Sequence, residues 1–438
     1  MNRIVCLSPE GELFTLAPQD PSAEGAQPLG RRPPDAASGQ AGAGPRRLDL
    51  SAAYAWPTWS PDGTRVAASR VQVTGQQAEV SVQVMAAVLP PKDQAGTVSF
   101  RGRTVYVNDT PGLVADGAPH YLYWSPDGQA LAMLVAGPQG LVLQVVDLDG
   151  PGPPGAVPIA EGAPLFFHWH PQGRALLVHQ GEDVTLVSRP FNLGGAGSRQ
   201  LVAAGSGFRT ASFSPQGRHL AYVVEAVNPS ADAPGGGHLM VAELSARLDR
   251  VGAARQVLAV GPQAAFLWSP DGRELAVADH QEDTGGPAFG RLRVVPLEVN
   301  GGPARTVAEE TLLAFFWSPN GRGIAWVALD LAEQRFQWKA ALVQPPSSSP
   351  PPSPAAFFSF QPAAQLLTML QFFDQYAHSH ALWSPDSSRL VVAGTREAVA
   401  TRRNGQTPTG DRVWLLDPWG GSPPVDLAAG TLAFWSWQ

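Results

Sequence analysis

The feature that most constrains this chain is a short motif written seven times: an aromatic residue, Ser or His, Pro, a turn-forming residue and usually Gly. The aromatic residues are Trp59, Trp124, Trp169, Phe213, Trp268, Trp317 and Trp383, and Trp435-Ser436 begins a truncated eighth copy. Successive copies lie 44 to 66 residues apart, which is enough for four short strands and their turns. A unit of this size cannot bury its apolar face alone, so the copies must stack on one another.

Each unit has the same internal pattern. An apolar run leads into the aromatic residue, and Ser-Pro-Asp-Gly then forms a tight turn in which Pro presets φ, Asp bonds the backbone and Gly takes the left-handed conformation. A run of branched aliphatic and small residues follows, which is typical of a buried strand. The recurrent Trp is interpreted as core, packed between neighbouring units. Ser387 replaces the Gly in the seventh copy, so strain is expected in that turn.

The predicted fold is all-β: one β-propeller of four-stranded blades, with eight blades, spanning residues 1–438 as a single domain. The N-terminal run from Ile4 to Leu16 supplies middle and outer strands without an aromatic strand before them, and Leu432 to Trp437 supplies an innermost strand. The two ends are therefore expected to share one blade and close the ring. Two segments rich in Pro, Gly or Ser, residues 17–46 and 345–354, are predicted to be flexible loop insertions.

The motif resembles the repeat of the TolB-like β-propeller family, across nearly the whole chain. It also resembles the propeller part of prolyl oligopeptidase and dipeptidyl peptidase proteins, whose chemistry belongs to a separate hydrolase domain. This chain departs from TolB itself in two respects. TolB has six blades and an additional N-terminal domain, whereas this chain has more repeats and no such domain is recognised. The resemblance implies a WD-like repeat fold that binds other molecules through one face of the ring.

The composition of the chain narrows the classes of function and partner that it can have. The net charge of −7 disfavours nucleic acid and anionic membranes as partners. The single Cys6 rules out a disulfide framework within the chain and gives no zinc site. No cofactor is predicted. Lys92 and Lys339 are the two lysines among 30 basic residues, which is typical of a GC-rich bacterial genome. Neither a membrane-spanning segment nor a secretory signal is recognised, which predicts a cytoplasmic protein, or a periplasmic one if the N-terminus was trimmed.

Candidate ligand-binding residues precede the motif aromatics, because these loops converge at the mouth of the central channel. The polar residues there are His120, Arg209, Glu310, Asp374, Tyr376, His378 and His380. Residues 374–380 have the most unusual local composition of the chain and follow an apolar run that fits a short helix or an outer strand. Glu309-Glu310 is interpreted as a solvated pair.

His120, His378 and His380 are candidate metal ligands, but their placement does not predict a metal site. His120 and His380 belong to different blades, and all ligands must lie within about 2.2 Å of the ion. His378 and His380 alternate along one predicted strand, but two ligands do not make a site. Serine hydrolase and phosphate-loop motifs are not recognised, so we assign no catalytic residue.

The favoured function is a non-catalytic binding or scaffold protein that uses one face or the channel mouth to bind a protein or a small ligand. The alternative is a propeller enzyme, a carbohydrate lyase or hydrolase, with its active site at the channel mouth. Asp374, His378, His380, His120 and Arg209 would carry that chemistry. A third reading is a propeller whose catalytic partner is a separate chain, since the fold alone does not determine function. The oligomeric state does not follow from the sequence.

Overall fold

The computed structural model describes residues 3–17, 46–47, 53–74, 77–87, 97–100, 103–106, 112–116, 119–148, 155–189, 191, 199–204, 209–226, 236–280, 288–298, 302–343, 354–396 and 410–437. The segments predicted to be flexible loops, 17–46 and 345–354, lie outside the described residues except at their ends. Within the described residues the chain is built almost entirely of antiparallel sheets, as predicted.

The strands of the first half are β1 (Ile4–Leu7), β2 (Leu13–Leu16), β3 (Arg46–Arg47), β4 (Ala53–Trp59), β5 (Arg65–Thr74), β6 (Gln77–Ala86), β7 (Thr97–Phe100), β8 (Arg103–Tyr106), β9 (Gly112–Asp116), β10 (Pro119–Trp124), β11 (Ala130–Gly137), β12 (Gly140–Asp147), β13 (Ala156–Gly162), β14 (Leu165–Trp169), β15 (Ala175–Gln180), β16 (Asp183–Ser188) and β17 (Arg199–Ala203). The elements of the second half are β18 (Ser212–Phe213), β19 (His219–Glu225), β20 (Gly237–Leu244), β21 (Val251–Val260), β22 (Gln263–Trp268), β23 (Glu274–His280), β24 (Arg291–Pro296), β25 (Arg305–Ala308), β26 (Leu312–Trp317), β27 (Gly323–Asp330), β28 (Arg335–Leu342), β29 (Phe358–Pro362), α1 (Ala364–Gln371), α2 (Phe373–Tyr376), β30 (Leu390–Arg396), β31 (Arg412–Leu416), β32 (Val425–Ala429) and β33 (Leu432–Trp435).

Most blades are four-stranded sheets formed by strands that follow one another along the chain. They have the orders β4-β5-β6-β9, β10-β11-β12-β13, β14-β15-β16-β17, β18-β19-β20-β21 and β22-β23-β24-β25. The hairpin β7-β8 is inserted between β6 and β9. The strand that ends in the motif aromatic stands first in each sheet, and the motif turn connects it to the second strand. This is the blade that the repeat predicts.

The motif turns are held by their own side chains. In the first copy the Ser60 hydroxyl donates to the Asp62 carboxylate at 2.5 Å and accepts from the Arg65 N–H at 2.9 Å. Gly63 has φ +67°, the left-handed conformation that the motif predicts. Ser387 takes the same conformation with φ +64° in the seventh copy. Its hydroxyl accepts a hydrogen bond of 3.0 Å from the N–H of Asn320 in the neighbouring motif turn, which offsets part of the strain.

Most motif tryptophans join their blade to the one before it, whereas the indole N–H of Trp268 has no described partner. The indole N–H donates to the carbonyl of the residue just before the motif aromatic of the preceding blade. The pairs are Trp124 to Thr58 (3.2 Å), Trp169 to Tyr123 (3.2 Å), Trp317 to Leu267 (3.3 Å) and Trp383 to Phe316 (3.3 Å). The interpretation of these rings as core between blades is therefore confirmed, and the indole adds a polar contact to the packing.

The two ends of the chain share one blade, as predicted. Strand β1 pairs with β33, with Ile4 opposite Trp435 and Cys6 opposite Ala433, and the blade has the order β3-β2-β1-β33. The indole N–H of Trp59 donates to the carbonyl of Phe434 at 3.1 Å, which extends the blade-to-blade ladder across this junction. The ring is closed by backbone pairing between its first and last strands.

One departure from the four-stranded pattern involves the last two motif copies. Strands β26 to β32 form a single seven-stranded sheet, because β29 pairs with both β28 and β30. The innermost strand of the last sector is reduced to isolated bridges, Trp383 with Leu390 and Ala381 with Trp435. This sheet is a local departure from separate four-stranded blades: it comprises β26 to β29 and β30 to β32, joined where β29 pairs with the end of β30. Among the described helices, none is long and apolar enough to cross a membrane.

Candidate functional site

The central channel is occupied by the segment 364–380, which we call the plug. It consists of α1, α2 and the turn 377–380, and it leads into the seventh motif copy. Helix α1 turns Leu366, Met369 and Leu370 toward the core. The apolar run before Asp374, for which the sequence left helix or strand open, is therefore helical. His378 and His380 lie in the turn rather than on one strand, so the prediction that they alternate along a strand was wrong.

Aromatic rings fasten the plug to the inner strands of several blades. Phe373 packs against Phe315, with ring centroids 4.8 Å apart, and against Phe316 at 5.9 Å. Tyr376 stacks on Trp56 at 5.3 Å and meets Tyr121 edge-on at 5.1 Å. These aromatic contacts involve β26, β4 and β10, which belong to different blades. The plug therefore connects several blades from inside the ring.

A buried chain of hydrogen bonds fixes the end of the plug. The hydroxyl of Thr58 donates to the carbonyl of Ser379 at 3.0 Å. The hydroxyls of Tyr121 and Ser379 lie 2.8 Å apart, and the Ser379 hydroxyl lies 2.7 Å from Nδ1 of His380. The Tyr121 hydroxyl also lies 2.9 Å from the carbonyl oxygen of Gln375. Together these contacts leave the His380 ring one fixed orientation.

The predicted site residues do not form one group. Tyr376, His378 and His380 come together on the plug, and the Tyr376 hydroxyl donates to the backbone carbonyl of His120 at 3.3 Å. The side chain of His120 is exposed. Asp374, on the plug, accepts a hydrogen bond from Thr210 of the ring, and burial raises the pKa of its carboxyl group.

The two remaining predicted residues are engaged in structural contacts. Arg209 forms an ion pair with Glu225 at 3.7 Å and donates to the carbonyl of Pro262 at 2.6 Å. Glu310 pairs with Lys339 at 2.6 Å and accepts from the indole N–H of Trp326 at 3.0 Å. The interpretation of Glu310 as a solvated loop residue was therefore wrong, because a cation on β28 neutralises it.

A cavity of about 410 Å³ lies beside the plug, at the face of the ring that carries the motif turns. We call this the turn face. The cavity is walled by Trp268, Trp317, Trp383 and Trp437, and prolines of four motif turns form its rim. Its floor is the end of the plug, which contributes His378 and His380. A smaller cavity of about 160 Å³ lies on the other side of His378 and Trp437.

Burial keeps the histidines of this region neutral. It lowers the pKa of His378 to about 4 and that of His380 to about 3. His168, whose ring centroid lies 4.1 Å from that of His378, has a pKa well below its ordinary value for the same reason. None of the described residues lining the larger cavity is Asp, Glu, Lys or Arg. At neutral pH the described wall of the cavity therefore carries no charge.

Sequence reasoning selected His378 and His380 but missed the walls of the cavity. The motif tryptophans were assigned to the core, and they are largely buried, yet an edge of three of them faces the cavity. Trp437 is 39% exposed, and the sequence pattern places it only in the last strand. A signal for its role was present in the sequence, since it directly follows the truncated motif and so lies at the turn face. Within the described part of the chain, no group of three or more His, Cys, Asp or Glu residues is arranged to hold a metal ion.

No family model and no curated protein matches this chain. Solved structures do match it. One is a eukaryotic initiation factor, with 12% identity over 99% of this chain and 98% of that one, and a TM-score of 0.52. TolB from Acinetobacter baumannii has 14% identity, coverage of 86% and 84%, and a TM-score of 0.37. Oligogalacturonate lyase from Vibrio parahaemolyticus has 12% identity, coverage of 83% and 85%, and a TM-score of 0.45.

At identities this low, structural likeness concerns the fold alone. The propeller fold that the TolB-like motif implied is confirmed by the sheets described above. Function has to be argued from the site.

Proposed function

We propose that this protein is a non-catalytic binding protein that holds an uncharged small ligand in the cavity of the turn face. The observation that carries the proposal is the cavity itself: about 410 Å³, walled by four tryptophans, with imidazoles as its principal polar groups. Binding pockets for small molecules are concave, mostly apolar and furnished with a few fixed polar groups. The size lies within the ordinary range of such pockets, roughly 300–1,000 Å³.

Because the plug fills the channel, it favours a small ligand as the occupant over a segment of a partner protein that would pass through the ring. Phe373, Tyr376 and Ser379 fill the channel behind the cavity and contact several inner strands. A ligand at the turn face therefore meets a closed floor. A protein partner remains the alternative occupant of the surrounding rim, where it would insert one side chain into the cavity.

The enzyme alternative has less support from the same geometry. Of the five residues suspected for it, His378 and His380 line the cavity, whereas Asp374, His120 and Arg209 do not. The carboxylate and the guanidinium are engaged with other groups of the ring. A lyase or hydrolase needs an acid or base positioned against the reacting atom. We therefore place no catalytic step in this cavity.

The proposal is tested by blocking the cavity. We expect neutral cyclic compounds from a fragment library to bind the wild-type protein, as detected by ligand-observed NMR, and the same compounds to lose binding to Ala377→Trp. Ala377 is half-buried and lines the cavity, so an indole there would fill it. Trp437→Ala, a milder change at a half-exposed residue, should weaken binding by removing one wall.

Phe372→Ala is the matched control, because it removes an exposed aromatic ring of the plug that does not line the cavity. Its binding should equal that of the wild type. The proposal fails if the compounds bind Ala377→Trp as well as they bind the wild type. Recovery of chemically altered compounds would instead favour the enzyme alternative.

A further inference from the structure

Two imidazole nitrogens of the cavity floor, Nε2 of His378 and Nε2 of His380, lack a hydrogen-bond partner among the described residues. His380 is 2% exposed and lines the cavity, and its Nε2 is buried without a hydrogen-bond partner among the described residues. A buried polar atom left unsatisfied typically costs about 1–3 kcal/mol, so such an atom beside an open cavity calls for an explanation. A bound ligand that supplies the missing partner would provide one.

The hydrogen bonds behind the ring determine which kind of partner is missing. The Tyr121 hydroxyl contacts the backbone carbonyl oxygen of Gln375, which can only accept, so Tyr121 donates in this hydrogen bond. The hydrogen of the Ser379 hydroxyl then goes to the oxygen of Tyr121, 2.8 Å away, or to the carbonyl oxygen of Tyr376, 3.3 Å away. With that hydrogen used, the 2.7 Å contact between Ser379 and His380 is satisfied only if Nδ1 of His380 donates.

The tautomer follows from this count. A neutral imidazole carries one N–H, and the contacts above assign it to Nδ1. The remaining nitrogen, Nε2, is therefore a hydrogen-bond acceptor. The hydrogen bonds that run from Gln375 through Tyr121 and Ser379 to His380 set its orientation, so a residue that lines the cavity carries a fixed, unpartnered acceptor.

The walls define the rest of the ligand. Flat indole rings and the prolines of the motif turns suit a planar or compact apolar ring, which gains from aromatic contact on several sides. The lack of charged groups among the described lining residues disfavours an ion, whose desolvation would not be repaid. The indole N–H of Trp268, another lining residue, is also buried without a described partner. It can donate a hydrogen bond to an acceptor atom of the ligand.

We propose that the cavity selects neutral ring compounds that carry a hydrogen-bond donor, such as an indole or lactam N–H or a phenol O–H, and that Nε2 of His380 receives that donor. This inference rests on the proposed function, because it specifies the ligand class of the same cavity. Ser379 is a positioning residue in this arrangement, since it holds Nδ1–H and thereby leaves Nε2 free to accept.

The test compares two probes of nearly the same shape. Indole carries an N–H, whereas 1-methylindole has a methyl group in its place. Titration calorimetry on the wild-type chain should show indole binding roughly 3- to 10-fold more tightly, the range expected for one hydrogen bond. His380→Phe should bind the two probes with equal affinity. His380→Gln should retain part of the preference, because its amide oxygen can accept.

The outcomes separate this inference from the proposed function. If the wild type binds both probes equally, or binds 1-methylindole more tightly, the role of Nε2 is overturned and the cavity remains a binding site. If Ala377→Trp binds indole as well as the wild type does, the probes bind elsewhere and both proposals fail. If neither probe binds at millimolar concentration, the ligand class is wrong, and the library screen decides whether the cavity binds any neutral ligand. His378→Phe checks that the preference belongs to His380 and not to its neighbour, and it should leave the indole preference in place.

Discussion

Single residues at the turn face make the stability of this protein depend on pH. In an unfolded chain a histidine takes up a proton below about pH 6.5. The buried ring of His380 stays neutral until the pH falls to about 3. Between these values the unfolded chain binds more protons than the folded one. The free energy of unfolding therefore falls as the pH drops below about 6.5, and this contribution is fully present above that value.

Replacing His380 with a residue that does not titrate should reduce this dependence. Urea unfolding at pH 7 and at pH 5 should show that His380→Gln loses less stability on acidification than the wild type does. The expected difference is up to about 2 kcal/mol, the linkage value for one group that fails to titrate over 1.5 pH units. Asp374, whose pKa is raised by burial, contributes in the opposite direction. Its contribution is common to both proteins and cancels. Equal pH dependence of the two would contradict the burial of His380 as a neutral ring.

Residues also show where sequence reasoning succeeds. The turn chemistry of Ser60, Asp62 and Gly63 is local, so the motif alone predicted both its hydrogen bonds and its positive φ. The strain at Ser387 followed from the same rule. The partners of Arg209 and Glu310 could not be predicted in this way. Their contacts, Glu225, Pro262 and Lys339, depend on how distant strands are placed side by side.

At the scale of elements, the plug separates this chain from a plain repeat ring. Its helices interrupt the strand pattern just before the seventh motif and allow β28, β29 and β30 to form one continuous sheet. The sequence marked residues 374–380 as unusual, but it did not show that they turn into the channel. That placement depends on aromatic contacts with three blades, which no local pattern encodes.

Two adjacent phenylalanines provide a test of how the plug is anchored. Phe373 is 1% exposed among Phe315, Phe316 and Phe289, whereas Phe372 is 47% exposed. Phe373→Ala should lower the free energy of unfolding by about 3–5 kcal/mol, because it leaves a cavity in a packed aromatic cluster. Phe372→Ala should change it by less than about 0.5 kcal/mol. Chemical denaturation of both variants measures these two changes in the free energy of unfolding. Equal effects would mean that the plug is not held by Phe373.

At the scale of the whole molecule, closure of the ring places the last motif beside the first. The contact of β1 with β33 puts Cys6, the one cysteine of the chain, directly opposite Ala433. Directly opposed residues of an antiparallel pair lie on the same side of the sheet, at a separation that a disulfide can span. The same closure brings Trp437 over the cavity, where it faces rings from the sixth and seventh motifs.

A cross-link tests this closure directly. Ala433→Cys should form an intramolecular disulfide with Cys6 under mild oxidation, identified by peptide mass spectrometry, and should raise the unfolding midpoint relative to the reduced form. Ala428→Cys is the control, because Ala428 lies opposite Val413 and not opposite Cys6. Failure of Ala433→Cys to cross-link, or dimers in place of the internal bond, would contradict the pairing of the two ends.

A crystal structure of the wild-type chain soaked with indole decides whether the turn-face cavity binds a neutral ligand. We expect one indole within the cavity between Trp268, Trp317 and Trp383, with its N–H within hydrogen-bond distance of Nε2 of His380. Crystals of Ala377→Trp soaked in the same way should contain none there. Indole found only at other surfaces of the wild type, with the cavity unoccupied, would contradict this expectation.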